Sequence, residues 1–184
     1  MVTINNEEIR DTFNYLATID NILSKEVRQV NGNKYYLDKI VPEQIVKVYS
    51  QKEKTAITFA DNLTRTAYEN SVVTLVATFE RVAFAKYKTS YGTIKNVVAN
   101  HAIKPLDYYK SRESFVNGNI DKLSGIIYLI EGHLSTELLE KLKIIKDHRN
   151  YIAHGKRDTA PPSVEMKLSE IAKTLDDVIK EIER

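Results

Sequence analysis

Apolar residues in this chain return at steps of three and four over stretches much longer than a strand, and little interrupts them. Ile9, Phe13, Leu16, Ile19, Leu23 and Val27 mark a first helix over about 5–30. Asn31-Gly32-Asn33 ends it, because Gly and Asn accept the left-handed backbone that closes a helix. Residues 34–40 read as a connector. Pro42 suits a first helical position, and helical pattern runs on to about 50. A long helix, single or kinked, is predicted over 57–87, with a stripe of Val73, Val76, Ala77, Phe84 and Tyr87. Gly92, within 89–93, predicts a break after it. Residues 96–119 contain Pro105 and Gly118 and show no clear period.

The short apolar run 121–130 fits a helix or a strand by itself and is assigned to helix from its neighbours. A further helix begins at Ser135 or Thr136, both good N-caps, and ends near Gly155. Pro161-Pro162-Ser163 is expected to open the last helix. There Val164, Leu168, Ile171, Leu175, Val178 and Ile182 form a narrow seam for packing on another helix. With 6 Gly and 4 Pro, the chain lacks the turns that an all-β fold requires. The expected fold class is therefore all-α: four to six helices in a single domain over 1–184.

Hydrophobic residues at 42% and charged residues at 28% describe an ordinary globular protein, long enough at 184 residues to bury a core without staples. Cysteine is absent, which removes disulfides, thiol nucleophiles and thiolate metal sites and suits a reducing compartment. The N-terminus MVTINNEEIR is polar and acidic where a secretory leader is basic and then apolar. The longest apolar runs, 72–79 and 125–130, are too short to span a bilayer. The expectation is a cytoplasmic protein with no membrane partner.

A net charge of +2 excludes a polycation that coats nucleic acid unselectively, but the charge is uneven. Over 141–158 there are six cations (Lys141, Lys143, Lys146, Arg149, Lys156, Arg157) and two acids (Asp147, Asp158), a local +4. A solvated helix face and a surface for an anionic ligand both fit that cluster.

Arg149 breaks a pattern. Leu138, Leu142, Ile145 and Ile152 follow steps of four, three and seven, and Arg149 fills the skipped position. A buried guanidinium costs several kcal/mol (order of magnitude) unless it is paired or solvated. Either it has an acidic partner, or the stripe opens there into a wet cleft. Asn150 and His154, four residues apart, share an adjoining face. Cations and His near a helix C-terminus also offset the macrodipole, which by itself accounts for His154 and Lys156. It does not account for Arg149. Glu80 interrupts the earlier stripe in the same way, so the two opposite charges pair if the stripes face each other; a kink that turns Glu80 to solvent is the alternative.

The string Arg149-Asn150-Tyr151-Ile152-Ala153-His154-Gly155 resembles the Arg-x4-His motif of the HEPN superfamily, with the polar residue that often follows the Arg present as Asn150. The stretch 74–81 also resembles a core helix of prokaryotic HEPN domains. The likeness covers 57–184, leaving 1–56 as an N-terminal helical extension. Lys156 stands where some of the family's toxins carry a Tyr, which sets the chain apart from that tyrosine-bearing class.

The resemblance implies an up-and-down bundle, a homodimer with two motifs facing across its interface, and a metal-independent endoribonuclease. Relatives of this kind act in toxin–antitoxin, phage-defence or RNA-processing systems, so RNA and an antitoxin or regulatory protein are the implied partners. The residues accommodate such chemistry. RNA carries its own nucleophile, the 2′-OH. His154 then serves as general base or acid, Arg149 grips the phosphate, and Asn150 orients one or the other. Lys146, Lys156 and Arg157 are candidate substrate-binding cations. No cofactor or metal is called for: His101, His133 and His148 lack ligand spacing with carboxylates. Two other readings stand beside this one. One is a non-catalytic HEPN-like module that binds RNA, a nucleotide or a protein. The other is a helical interaction protein whose C-terminal seam makes an oligomer.

Overall fold

The computed structural model describes residues 2–32, 56–100, 123–155 and 166–183. They form five helices and no strand: α1 (Glu7–Gly32), α2 (Ala56–Asn100), α3 (Leu123–Ile130), α4 (Thr136–Ala153) and α5 (Leu168–Glu183). The chain is an all-α helical bundle. No described helix is long and apolar enough to cross a membrane. The expectations for Pro42, Pro105, Gly118 and the connector 34–40 lie outside the described residues.

Two compact units divide the chain, Met1–Phe13 with Val72–Arg184, and Asn14–Ser71. The smaller takes in the rest of α1 and the first part of α2, and leaves Tyr15, Ile22 and Leu63 exposed. The larger holds nearly all the buried apolar side chains. Its core is made where α2 supplies Val72, Leu75, Val76 and Phe79, α4 supplies Leu142 and Ile145, and α5 supplies Ile171, Leu175 and Val178.

Three local expectations need correction. First, α2 shows no break at Gly92 and continues to Asn100. A lone Gly costs a helix interior only about 1 kcal/mol relative to Ala, and no Pro accompanies it. Second, the buried face of α2 is Val72, Leu75, Val76, Phe79, Val82 and Ala83, while Ala77 is exposed and Val73 half-buried. Residues 72–79 are apolar almost all round, so the helical period admits two overlapping stripes, and Glu80 falls at their edge. Third, α5 begins at Leu168, with Met166 and Lys167 outside it; Pro161-Pro162-Ser163 are not among the described residues. Lys167 acts as the cap. Its carbonyl accepts the Ile171 N–H at 3.0 Å, and its own N–H donates to the Glu170 carboxylate at 3.0 Å. The face that α5 buries is also wider than a seam, since Ala172 and Ile179 are buried beside the predicted positions.

The N-terminus is anchored by Asp176 of α5, a carboxylate with no exposed surface. Asn6 caps α1, accepting the Ile9 N–H at 3.1 Å through its side-chain oxygen. Its own backbone N–H donates to Asp176 Oδ1 at 2.7 Å, and the Asn5 N–H donates to the same oxygen at 3.0 Å. Lys180 Nζ, one turn along α5, lies 2.9 Å from Oδ2. Burial by itself raises a carboxyl pKa, but the Asn6 and Asn5 N–H groups and Lys180 outweigh it and hold Asp176 below the ordinary carboxylate range. The hydrogen bond from Lys180 to Asp176 in turn raises the lysine's pKa.

Because the folded pKa of Asp176 is depressed, its contribution to stability is present above the ordinary carboxylate pKa and is lost as pH falls through the folded value. Asp176→Ala is expected to lower the unfolding free energy by about 3 kcal/mol at neutral pH. In urea melts across the acid range, the gap from wild type should narrow as pH falls.

Candidate functional site

Helix α4 carries the motif, and its sequence sets both of its ends. Ser135 caps the start, its hydroxyl accepting the Leu138 N–H at 3.3 Å. At the other end the His154 N–H donates to the Asn150 carbonyl at 2.9 Å, and the Gly155 N–H to the Ile152 carbonyl at 3.0 Å. Gly155 has φ +65°, the left-handed conformation that closes a helix and that glycine adopts without strain. His154 is thereby placed as the C-cap, exposed at the helix end.

Arg149 sits one turn before the end with its side chain 33% exposed, at the margin of the core and not inside it. The side chain that fills the core position is His148, 7% exposed, continuing Leu142 and Ile145 at a step of three. Taking Arg149, four residues after Ile145, as the next position on the stripe passed over His148. A step of three from Ile145 is the signal that finds it.

Two groups approach the Arg149 guanidinium among the described residues. Nη1 donates to Asn150 Oδ1 at 3.2 Å. Nη2 lies 3.9 Å from Glu80 Oε2, close enough for charge attraction and too long for a hydrogen bond. Nε is buried, with no hydrogen-bond partner among the described residues. The structure thus brings Glu80 and Arg149 together. It directs the Asn150 side chain to the arginine; among the described residues no hydrogen bond joins it to the His154 imidazole.

Glu80 has a second task that its sequence position did not disclose. Its other oxygen, Oε1, accepts the backbone N–H of Leu123 at 2.8 Å. Leu123 is the first residue of α3, so the carboxylate satisfies one of the donors that every helix start leaves open. One side chain, only 14% exposed, therefore links α2, α3 and α4.

Two cations of the basic cluster have acidic neighbours. Lys141 pairs with Glu137 one turn back at 2.5 Å, and Lys146 lies 3.4 Å from Asp147. Lys156 and Arg157, the other proposed substrate-binding cations, lie outside the described residues. Among the described residues no group of three His, Asp or Glu side chains is placed to hold a metal ion.

No protein-family model, curated protein or solved structure shows a significant match to the chain.

A methyl group on the Gly155 Cα would meet only open space, so the backbone conformation alone opposes a side chain there. Gly155→Ala is expected to lower stability by about 1 kcal/mol in a thermal or urea melt, with Gly155→Asn losing less because Asn tolerates φ > 0.

Proposed function

We propose that this chain is a metal-independent endoribonuclease of the HEPN type, acting in the cytoplasm as a homodimer in a toxin–antitoxin, phage-defence or stress role. The observation that carries the proposal is the state of Arg149: a half-buried guanidinium at the end of α4, with hydrogen-bonding capacity unused among the described residues, one turn from an exposed His154.

A guanidinium with open donors is suited to phosphate, which it meets with two parallel hydrogen bonds. In RNA the 2′-oxygen attacks the adjacent phosphorus and the P–O5′ bond breaks. The 2′-OH proton passes to a base, and the departing 5′-oxygen receives a proton from an acid. The products are a 2′,3′-cyclic phosphate and a 5′-OH end. His154 supplies one of the two proton transfers and Arg149 stabilises the charge that gathers on phosphorus oxygens in the transition state. Asn150, bonded to Arg149, fixes the direction in which the guanidinium points. Both transfers from one imidazole are awkward in a single pass. A second His154 from the partner subunit of a dimer resolves this, and Lys146, Lys156 and Arg157 then serve the flanking phosphates.

Purified protein should cleave single-stranded RNA in the presence of EDTA and leave cyclic-phosphate ends. His154→Ala should reduce the rate by about 10³ and Arg149→Ala by about 10² to 10³. Strict dependence on a divalent ion, or full activity in His154→Ala, rejects the nuclease. RNA binding that needs Arg149 but leads to no cleavage identifies the chain as a non-catalytic binding module.

A further inference from the structure

Glu80 presents a problem that phosphate binding by Arg149 must solve. A carboxylate 3.9 Å from the guanidinium opposes any incoming anion, and at 14% exposure little water screens it. Yet Glu80 cannot swing far away, because Oε1 is held at 2.8 Å by the Leu123 N–H. Its position is fixed by α3. Arg149 is the freer partner, being 33% exposed and, among the described residues, held through a single 3.2 Å bond from Nη1 to Asn150.

We propose that Glu80 is the positioning residue for Arg149: an internal counter-ion that holds the guanidinium in place until a phosphodiester takes it over. The inference rests on reading Arg149 as a phosphate-binding residue. The 3.9 Å separation matters to it. A close bidentate pair would consume the donors that phosphate needs, whereas a carboxylate held just beyond hydrogen-bond length orients the cation and leaves those donors open. At this edge of the core the α3 N-terminus gives the carboxylate a second partner. When phosphate engages Arg149, the carboxylate keeps that partner and is not stranded.

Glu80→Gln separates the two tasks. The amide oxygen still accepts the Leu123 N–H, so α3 keeps its cap, while the charge facing Arg149 disappears. Binding of a short labelled single-stranded RNA is measured in a His154→Ala background, which prevents cleavage, at fixed low salt. Glu80→Gln is expected to tighten binding by about three- to tenfold, the gain from removing one opposing charge. The gain should vanish when Arg149→Ala is added. Glu80→Ala, which also removes the cap, should lower the melting temperature where Glu80→Gln leaves it close to wild type.

Unchanged or weaker binding in Glu80→Gln overturns the inference. So does the same gain without Arg149, and so does a lack of measurable RNA binding by either protein. If wild type fails to cleave RNA while the Arg149-dependent gain persists, the nuclease reading falls and the counter-ion stands.

Discussion

A buried charge is tolerated only with partners, and the larger unit turns on one that has them all. Asp176 has no exposed surface, and around it stand the Asn5 and Asn6 backbone N–H groups and the Lys180 ammonium. Those N–H groups are orphan donors at the entry to α1, which the chain must satisfy somewhere. By accepting them, one carboxylate on α5 fixes where α1 starts. Ile9, fully buried, is then held at a set distance from that start. The Thr12 and Thr78 hydroxyls, 3.3 Å apart, bring α1 alongside α2 at the next turn.

The charges near the end of α4 follow a different rule. Asp176 is saturated, while among the described residues Arg149 makes one side-chain hydrogen bond, approaches Glu80 without bonding to it, and buries an Nε that finds no partner. Leaving polar capacity unused near a core costs on the order of 1 to 3 kcal/mol for each buried group. Folding alone is served better by a methionine or leucine at that position. A cation kept under-bonded at a half-exposed margin is what an anion-binding residue requires, and this contrast with Asp176 is the physical ground on which the proposed site rests.

Much of this was legible in the chain, for reasons particular residues make plain. The three-four period located α1, α4 and α5, because each has apolar residues on one side or a clear cap such as Ser135, whereas α3, short and apolar on most sides, was assigned to helix only from its neighbours. It misplaced the stripe of α2, where 72–79 is apolar on nearly every side and periodicity has little contrast to work with. It overrated Gly92, since a single glycine lowers helix propensity without forbidding a helix. For the site, a charge out of pattern was the useful signal: Arg149 and Glu80 each interrupt an apolar series, and they meet. What sequence position left out was the bond from Leu123 to Glu80 and the anchoring of Asn5 and Asn6 by Asp176. Those pairs are separated by 43 and about 170 residues, and nothing local encodes them.

Under the proposed function, the surroundings of Arg149 work against tight binding of the ground state. Glu80 stands beside it, Lys141 and Lys146 are drawn to their own acids, and the C-terminal carbonyls of α4 add partial negative charge close to His154. A resting phosphodiester carries one negative charge, and the attraction offered to it is modest. The pentacoordinate transition state carries more, concentrated on the oxygens that a guanidinium can reach. Interactions that grow between those two states accelerate the reaction, and interactions equal in both do not. A guanidinium restrained by a carboxylate, with its donors open, discriminates by charge in that sense: weak toward the substrate, stronger toward the species between substrate and product.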